Sequence, residues 1–130
     1  MDEIEVINFY TAYLPEEKIL TLFDNSTGKR ILSNYTGIVK NAGNLRVITM
    51  LDGAVHSFND EPALIIMKDD YVFSRRWFCN GLFSRHTGPA VIFSDDYGFA
   101  IDGNTYAFDE FIKLSNATDE QKIEMLLKYS

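Results

Sequence analysis

The sequence is poor in cysteine and in positive charge, and it lacks any long apolar segment. Its 130 residues include one cysteine, Cys79, which excludes an intrachain disulfide and a zinc site built from cysteines. A lone thiol is typical of a reducing compartment such as a cytoplasm. The longest apolar run, residues 63–67, is far shorter than the roughly 18 residues of a membrane-spanning helix. We therefore expect no membrane partner.

Basic residues are too few for a nucleic-acid coat. Twelve Lys and Arg stand against nineteen Asp and Glu, a formal net charge of −7. Binding to DNA or RNA without sequence preference depends on Lys and Arg that displace counterions from phosphates. The acidity lies at the two ends, with six acidic against three basic residues in 1–30, five against five in 31–80, and eight against four in 81–130. Direct nucleic-acid binding is therefore not expected, and the acidic start of the chain argues against a secretory signal.

Three segments in the middle of the chain share one layout. Each has an extended run, a polar turn, a second extended run and an Asx-Gly pair. The β-branched and aromatic residues favour strands, and the short polar residues favour reversals, so each segment is predicted to form a β-hairpin. The central turns are predicted at residues 41–44, Asp69-Asp70 and Asp95-Asp96, and the segments end at Gly53, Gly81 and Gly103.

Helical signals flank these hairpins. Thr118, with a glutamine three residues later, has the spacing of a capping box and predicts a helix start. Ile123, Leu126 and Leu127 are expected on the buried face of that helix. A short helical turn is predicted for residues 109–114.

The N-terminal region allows two interpretations. Pro15 followed by two glutamates favours the first turn of a helix that reaches Phe23. The alternative is a strand over residues 19–23 that pairs with residues 30–32. The predicted fold is α+β and mainly β, a single domain of residues 1–130. It divides into an N-terminal region (1–36), hairpin repeats (37–107) and a C-terminal helical cap packed on the sheet (108–130).

The return segments after the Asx-Gly pairs resemble short β-hairpin repeats of phage and bacterial proteins, similar in layout to MORN repeats. The resemblance is carried by Asp52-Gly53 with His56, and by Asn80-Gly81 followed by Gly88-Pro89-Ala90-Val91. It implies an open sheet of successive hairpins and a small phage-encoded factor in the cytoplasm of an infected bacterium. The histidine of the pattern is replaced by Ser84 and Tyr106 in the other two copies, and Glu61 stands where Gly88 would.

One cluster combines basic and aromatic residues on this acidic chain. One interpretation is a binding surface, since Trp, Tyr and Arg dominate binding hot spots and can also stack on a base or hold a phosphate. The other is that the arginines pair with nearby aspartates at positions 69, 70, 95 and 96 as surface ion pairs. The candidate partner-binding residues are Arg75, Arg76, Trp77, Phe83, Arg85, Tyr71 and Tyr97.

Catalytic and metal-binding signals are sparse. His56 and His86 are the only histidines and could serve as acid and base in phosphodiester cleavage. The other interpretation is that His56 packs in its loop and bonds to backbone carbonyls, while His86 is a surface residue. The aspartate pairs could bind Mg²⁺ or Ca²⁺, but turn chemistry explains them without a metal. Cys79 is expected to be an inert small hydrophobic residue. No catalytic residue, metal or cofactor is therefore assigned.

Three functional hypotheses follow from these features. The first is a non-enzymatic protein-binding module, a phage-encoded inhibitor of a host defence or nucleic-acid-processing machine, with a host or cognate protein as partner. The second is a small metal-independent nuclease or phosphodiesterase that uses His56 and His86. The third is an immunity-type or structural protein that binds one cognate partner. The oligomeric state stays open.

Overall fold

The computed structural model describes residues 1–41 and 45–130. The turn predicted at residues 41–44 includes Ala42, Gly43 and Asn44, which lie outside the described residues. The described residues form β1 (Glu3–Glu5), β2 (Phe9–Leu14), β3 (Ile19–Asp24), β4 (Arg30–Ile31), β5 (Gly37–Lys40), β6 (Arg46–Leu51), β7 (Ala54–Val55), β8 (Leu64–Lys68), β9 (Tyr71–Arg76), β10 (Phe78–Cys79), β11 (Leu82–Phe83), β12 (Val91–Phe93), β13 (Asp96–Ile101), β14 (Asn104–Tyr106), α1 (Phe108–Leu114) and α2 (Asp119–Tyr129).

A mixed sheet organises the described residues. Its strand order is β1-β5-β6-β8-β9-β12-β13-β14, with β7 paired to the end of β6. The β1/β5 pair is parallel and the other pairs are antiparallel. The three predicted hairpins are β5/β6, β8/β9 and β12/β13, and they lie side by side. The mainly β class with a C-terminal helix is confirmed.

The two central turns that lie wholly within the described residues agree with the sequence prediction except for one shift. Lys68 pairs with Tyr71, so Asp69-Asp70 is the two-residue turn of β8/β9, as predicted. In β12/β13, Phe93 pairs with Asp96, so the turn is Ser94 and the residue after it, one position earlier than predicted. Ser94 has a φ of 49°, the left-handed conformation that such tight turns require.

The three Asx-Gly pairs are themselves hairpin turns. Each separates two strands that pair directly across it, as Cys79 does with Leu82 around Asn80-Gly81. Both residues of each pair have positive φ, 47° and 82° in Asn80-Gly81, as a type I′ turn demands. The sequence interpretation placed these pairs at the ends of repeats. They are instead the reversals of three short additional hairpins.

The helix favoured over residues 15–23 is wrong, and the alternative strand is correct. Residues 19–24 form β3, which pairs with β2 on one side and β4 on the other. Lys18 has a φ of 56°, which interrupts any right-handed helix before the strand. Thr21 and Leu22 point to opposite sides of β3 and both are fully buried, so packing on two faces overrides the helical signal.

The central sheet has two faces, which we name after Arg75 and Arg76, two adjacent residues of β9. Residues that pair directly across strands share a face. The Arg76 face is the row Val39, Ile48, Leu64, Arg76, Val91 and Gly98. The Arg75 face is the row Lys40, Val47, Ile65, Arg75, Ile92 and Tyr97. The first three of the Arg76 row are not exposed, because Phe9 of β2 and Leu22 of β3 pack with them in the main core.

The two helices close a second core at the other end of the sheet. Phe99, on the same face as Tyr97, packs with Phe111 of α1 and Met125 of α2. The capping box at Thr118 is confirmed. The Thr118 hydroxyl accepts from the backbone N–H of Gln121 at 3.2 Å, and the Gln121 side-chain oxygen accepts from the backbone N–H of Thr118 at 2.9 Å. No helix among the described residues is long and apolar enough to cross a membrane.

The predicted buried face of α2 is wrong. Leu127 is 84% exposed, whereas Met125 is 3% exposed. Ile123 and Leu126 are also exposed, and Tyr129 packs in the core in their place. The physical reason is the aromatic cluster around Phe99, which Tyr129 joins with a ring distance of 5.5 Å and which sets the rotation of the helix.

Candidate partner-binding face

Arg75 and Arg76 are both exposed but point to opposite faces of the sheet. They are adjacent on β9, and side chains alternate across a strand. Within the described ranges neither arginine takes part in an ion pair. The predicted pairing of these two arginines with aspartates 69, 70, 95 and 96 is therefore wrong. The basic cluster of the sequence is divided between two surfaces.

The Arg75 face carries a continuous row of accessible side chains. Val47, Ile65, Arg75, Ile92 and Tyr97 lie on five neighbouring strands and pair directly with one another. The three aliphatic residues are half-buried, Arg75 is exposed, and Tyr97 is 44% exposed. At a strand spacing of about 4.8 Å, this row extends over about 19 Å. It is a largely apolar strip with one cation in its middle.

A second row on the same face, two residues along each strand, is covered. It contains Ala63, Trp77, Ala90 and Phe99, which are each 5% exposed or less. Arg85 covers the indole of Trp77, and the helices cover Phe99. The accessible strip is therefore bounded by this buried row.

Trp77 and Arg85 form a structural group with Asp60. The guanidinium carbon of Arg85 lies 4.0 Å from the centre of the Trp77 ring. Its Nε and Nη2 donate to the two carboxylate oxygens of Asp60 at 2.9 and 3.1 Å, and its Nη1 donates to the Pro89 carbonyl at 3.1 Å. The Trp77 Nε1 donates to the backbone carbonyl of Asp60 at 2.9 Å. All three guanidinium nitrogens are thus occupied, and neither predicted residue is free to hold a ligand.

Asp60 is kept ionised by this group. Burial of its carboxyl opposes ionisation, but hydrogen bonds from Arg85 and Thr87, together with the charge of Arg85, outweigh burial and hold the pKa of Asp60 below its usual 3.8. Thr87 donates to Oδ2 at 2.8 Å. Asp60 does not stand out in the sequence, because its partners lie at least 17 residues further along the chain.

Both histidines line one cavity of about 330 Å³, together with Cys79, Asp60 and Arg85. The Nδ1 of His56 accepts the backbone N–H of Asn80 at 2.9 Å. The Nδ1 of His86 accepts the backbone N–H of Asn116 at 3.0 Å. The predictions that His56 bonds to carbonyls and that His86 is a plain surface residue are therefore wrong. His86 instead joins the hairpins to the α1–α2 connection.

These bonds assign the tautomer of each imidazole. A neutral imidazole that accepts at Nδ1 carries its proton on Nε2. Neither ring then has a free lone pair with which to act as a base or to ligate a metal. Burial also lowers the pKa of His56 below its ordinary 6.5, which favours the neutral form.

The position of His56 recurs along the sheet. Thr36, His56 and Ser84 each accept, through a side chain, the backbone N–H of the first residue of the next Asx-Gly turn, at 2.8, 2.9 and 3.0 Å. The residue before each one offers its carbonyl to the glycine of that same turn. The role of His56 is thus to hold one turn to the next, a role that a hydroxyl also fills.

The remaining candidates lie apart. Tyr71 is 52% exposed at the start of β9, and Phe83 packs against the main core. Cys79 is exposed, which corrects the expectation of a small hydrophobic residue inside a strand. In residues 1–41 and 45–130, no three His, Cys, Asp or Glu side chains are grouped as a metal site would need.

Sequence reasoning missed the aliphatic members of the Arg75 row. Val47, Ile65 and Ile92 look like ordinary strand residues in the sequence, and their position side by side on one partly accessible row follows only from the pairing of the strands. The chain matches no protein-family model, no curated protein and no solved structure.

Proposed function

We propose that the chain is a non-enzymatic protein-binding module that docks a partner protein on the Arg75 face. The observation that carries this proposal is the accessible row from Val47 to Tyr97 on five neighbouring strands. The three aliphatic members of the row are only partly buried, and contiguous apolar patches on a protein surface often mark interaction sites. Arg75 and Tyr97 are residue types that carry much of the energy in protein interfaces.

A protein fits this strip better than a nucleic acid does. Arg75 is the one basic side chain between Val47 and Tyr97, whereas a polynucleotide groove needs several to neutralise phosphates. The overall charge of −7 adds repulsion. An apolar centre with a single arginine and a tyrosine is instead the composition of an interface core.

The finer proposal is a phage-encoded inhibitor of a host defence or nucleic-acid-processing machine, acting in the cytoplasm of the infected bacterium. It is supported by the resemblance to phage hairpin repeats and by the acidic ends of the chain, which would steer it towards a basic partner surface. An immunity-type or structural protein would use the same face. The identity of the captured partner separates these cases.

Phosphodiester cleavage is the second candidate, because one cavity holds both histidines and Arg85. It requires an imidazole with a free lone pair, and in each ring Nδ1 is already bonded to a backbone N–H. Incubation of the purified protein with RNA, DNA and cyclic nucleotides tests this candidate. Cleavage by the wild type that is lost in both His56→Ala and His86→Ala would establish it.

The test of the docking proposal compares two neighbouring arginines. Tagged wild type, Arg75→Glu and Ile65→Lys are used in affinity purification from host lysate with quantitative mass spectrometry. Arg76→Glu is the matched control, because it makes the same charge change at an exposed site on the other face. We expect a stoichiometric partner that is retained by Arg76→Glu and reduced at least about tenfold by the other two variants, a loss of 1.4 kcal/mol. Equal recovery in all four samples would contradict the proposal.

A further inference from the structure

We propose that two copies of this chain pair along the outer edge of β2, antiparallel, to join their three-stranded sheets into one. This surface shares no residue with the Arg75 face and does not depend on the proposed function. β2 is the terminal strand of the sheet β2-β3-β4, and no strand of the described ranges pairs with its other side.

The backbone of β2 presents a regular set of free groups. The backbone N–H of Asn25, the residue directly after β3, donates to the backbone carbonyl of Asn8, so Asn8 points its backbone groups towards β3. In an antiparallel pair such residues alternate with residues that point away. Phe9, Thr11 and Tyr13 therefore direct their N–H and C=O groups to the outer edge. A second β2 centred on Thr11 would match all three, with Phe9 opposite Tyr13 and Thr11 opposite itself.

Strand β2 lacks the residues and irregularities that usually prevent two sheet edges from pairing. Its six residues, FYTAYL, contain no charge and no proline, and its register with β3 is unbroken by a bulge. Exposed edges of monomeric proteins usually carry a lysine, a proline or a bulge. Two large apolar side chains are also exposed at this edge, Ile7 at 82% and Tyr13 at 52%. The pairing would bring these ends of the strand together.

Complementary charges, Glu16 on one copy and Arg46 on the other, favour a second copy of the chain as the partner of this edge. A groove of about 520 Å³ lies beside the start of β2 and is lined by Ile7, Asn8 and Arg46, among others. Arg46 takes part in no ion pair within the described residues. Antiparallel pairing centred on Thr11 carries the end of one β2 to the start of the other. In this register residue 16 of one copy faces residue 6 of the other, next to Ile7 at the edge of the groove. The exposed Glu16 of each copy is thereby placed near Arg46 of the other.

Sedimentation velocity over a hundredfold range of concentration tests this dimer. We expect a concentration-dependent dimer in the wild type. Thr11→Pro should raise its dissociation constant at least about tenfold, equivalent to 1.4 kcal/mol, because proline removes an outward N–H that bonds to nothing within the sheet. Thr11→Lys should do the same through charge and keeps the test valid if the proline variant unfolds. Thr11→Val is the matched control and should still dimerise.

Charge reversal tests the register. Glu16→Arg and Arg46→Glu should each weaken the dimer, and the double variant should restore it. Leu127→Lys should have no effect, because it lies on the exposed stripe of α2. A monomer at all concentrations, a dimer that survives both Thr11→Pro and Thr11→Lys, or a dimer abolished by Leu127→Lys would overturn the proposal. Failure of the double variant to recover would overturn the register centred on Thr11.

Discussion

The guanidinium of Arg85 lies over the ring of Trp77, with its carbon 4.0 Å from the ring centre, and the same guanidinium holds both carboxylate oxygens of Asp60. In the sequence, Arg85 and Trp77 resemble a surface that grips a ligand. In the structure they fasten the loop of Asp60 to the sheet. This relationship leaves Arg75, which has no ion-pair partner among the described residues, as the arginine of the Arg75 face that is available to another molecule.

Removal of Arg85 should destabilise the fold. Arg85→Ala loses the contact with Trp77 and two charge-assisted hydrogen bonds, and leaves the Asp60 carboxylate partly unpaired. We expect a loss of about 2 to 3 kcal/mol in the free energy of unfolding, measured by urea denaturation. Arg76→Ala, which removes an exposed arginine without an ion pair, should change it by less than about 0.5 kcal/mol. Equal effects of the two variants would refute the structural role of Arg85.

Two glycines of the same turn type should respond differently to alanine. A Cβ on Gly81 would lie 2.4 Å from the Cβ of Ile19, whereas for a Cβ on Gly103 the nearest described atom is Leu82 Cδ2, at 3.6 Å. Both have φ near 85°, so both variants incur conformational strain of about 1 to 2 kcal/mol. Gly81→Ala should cost at least about 2 kcal/mol more, because Ile19 must move. Thermal unfolding of the two variants side by side measures this difference.

The free energy of unfolding should fall in mild acid, because His56 takes up a proton more readily in the unfolded state than in the folded state. Its folded pKa lies below the unfolded value of 6.5, so the unfolded state binds more protons as the pH drops below 6.5. The stability that comes from keeping His56 neutral is fully present above pH 6.5. Below that pH the free energy of unfolding falls, with a slope of at most about 1.4 kcal/mol per pH unit from this group.

His56→Thr isolates this effect. A threonine already fills the equivalent position at Thr36 and accepts the same kind of backbone N–H. The variant should fold and should lose less stability than the wild type between neutral pH and pH 5. Urea titrations at several pH values measure both proteins, and identical pH profiles would remove His56 as the source.

The buried side of α2 can be tested by a matched pair. Met125→Ala should lower the free energy of unfolding by about 2 to 4 kcal/mol, because it opens a cavity beside Phe99 and Phe111. Leu127→Ala, at a site 84% exposed, should change it by less than about 0.5 kcal/mol. Chemical denaturation distinguishes the two, and the reverse order would mean that α2 is rotated differently on the sheet.

Features set by local chemistry were predictable from the sequence. The turn at Asp69-Asp70 could be predicted from the two turn residues themselves. The helix start at Thr118 could be predicted from the glutamine three residues later. The helix after Thr118 and the hairpins of the central sheet are therefore confirmed. The separation of Arg75 from Arg76 was also within reach, because adjacent residues of any strand point to opposite faces.

Features set by distant partners were not predictable. The strand at residues 19–24 depends on burial of Thr21 and Leu22 against other parts of the chain, which outweighs the local helical signal at Pro15. The rotation of α2 depends on where Phe99 lies. The open row of the Arg75 face emerges only when five strands are aligned, so composition alone could not separate it from the core.

Site-specific photo-crosslinking tests the central claim most directly. A benzophenone amino acid replaces Tyr97 in one variant and Arg76 in another, and each is irradiated in cells of the proposed host. Both positions are exposed and they lie on opposite faces of the sheet, so they differ chiefly in the surface that they report. The aromatic probe at position 97 leaves Arg75 in place. We predict a single abundant crosslinked partner from the Tyr97 position and none from the Arg76 position. Crosslinks of the same partner from the Arg76 position alone, or from neither, would contradict docking on the Arg75 face.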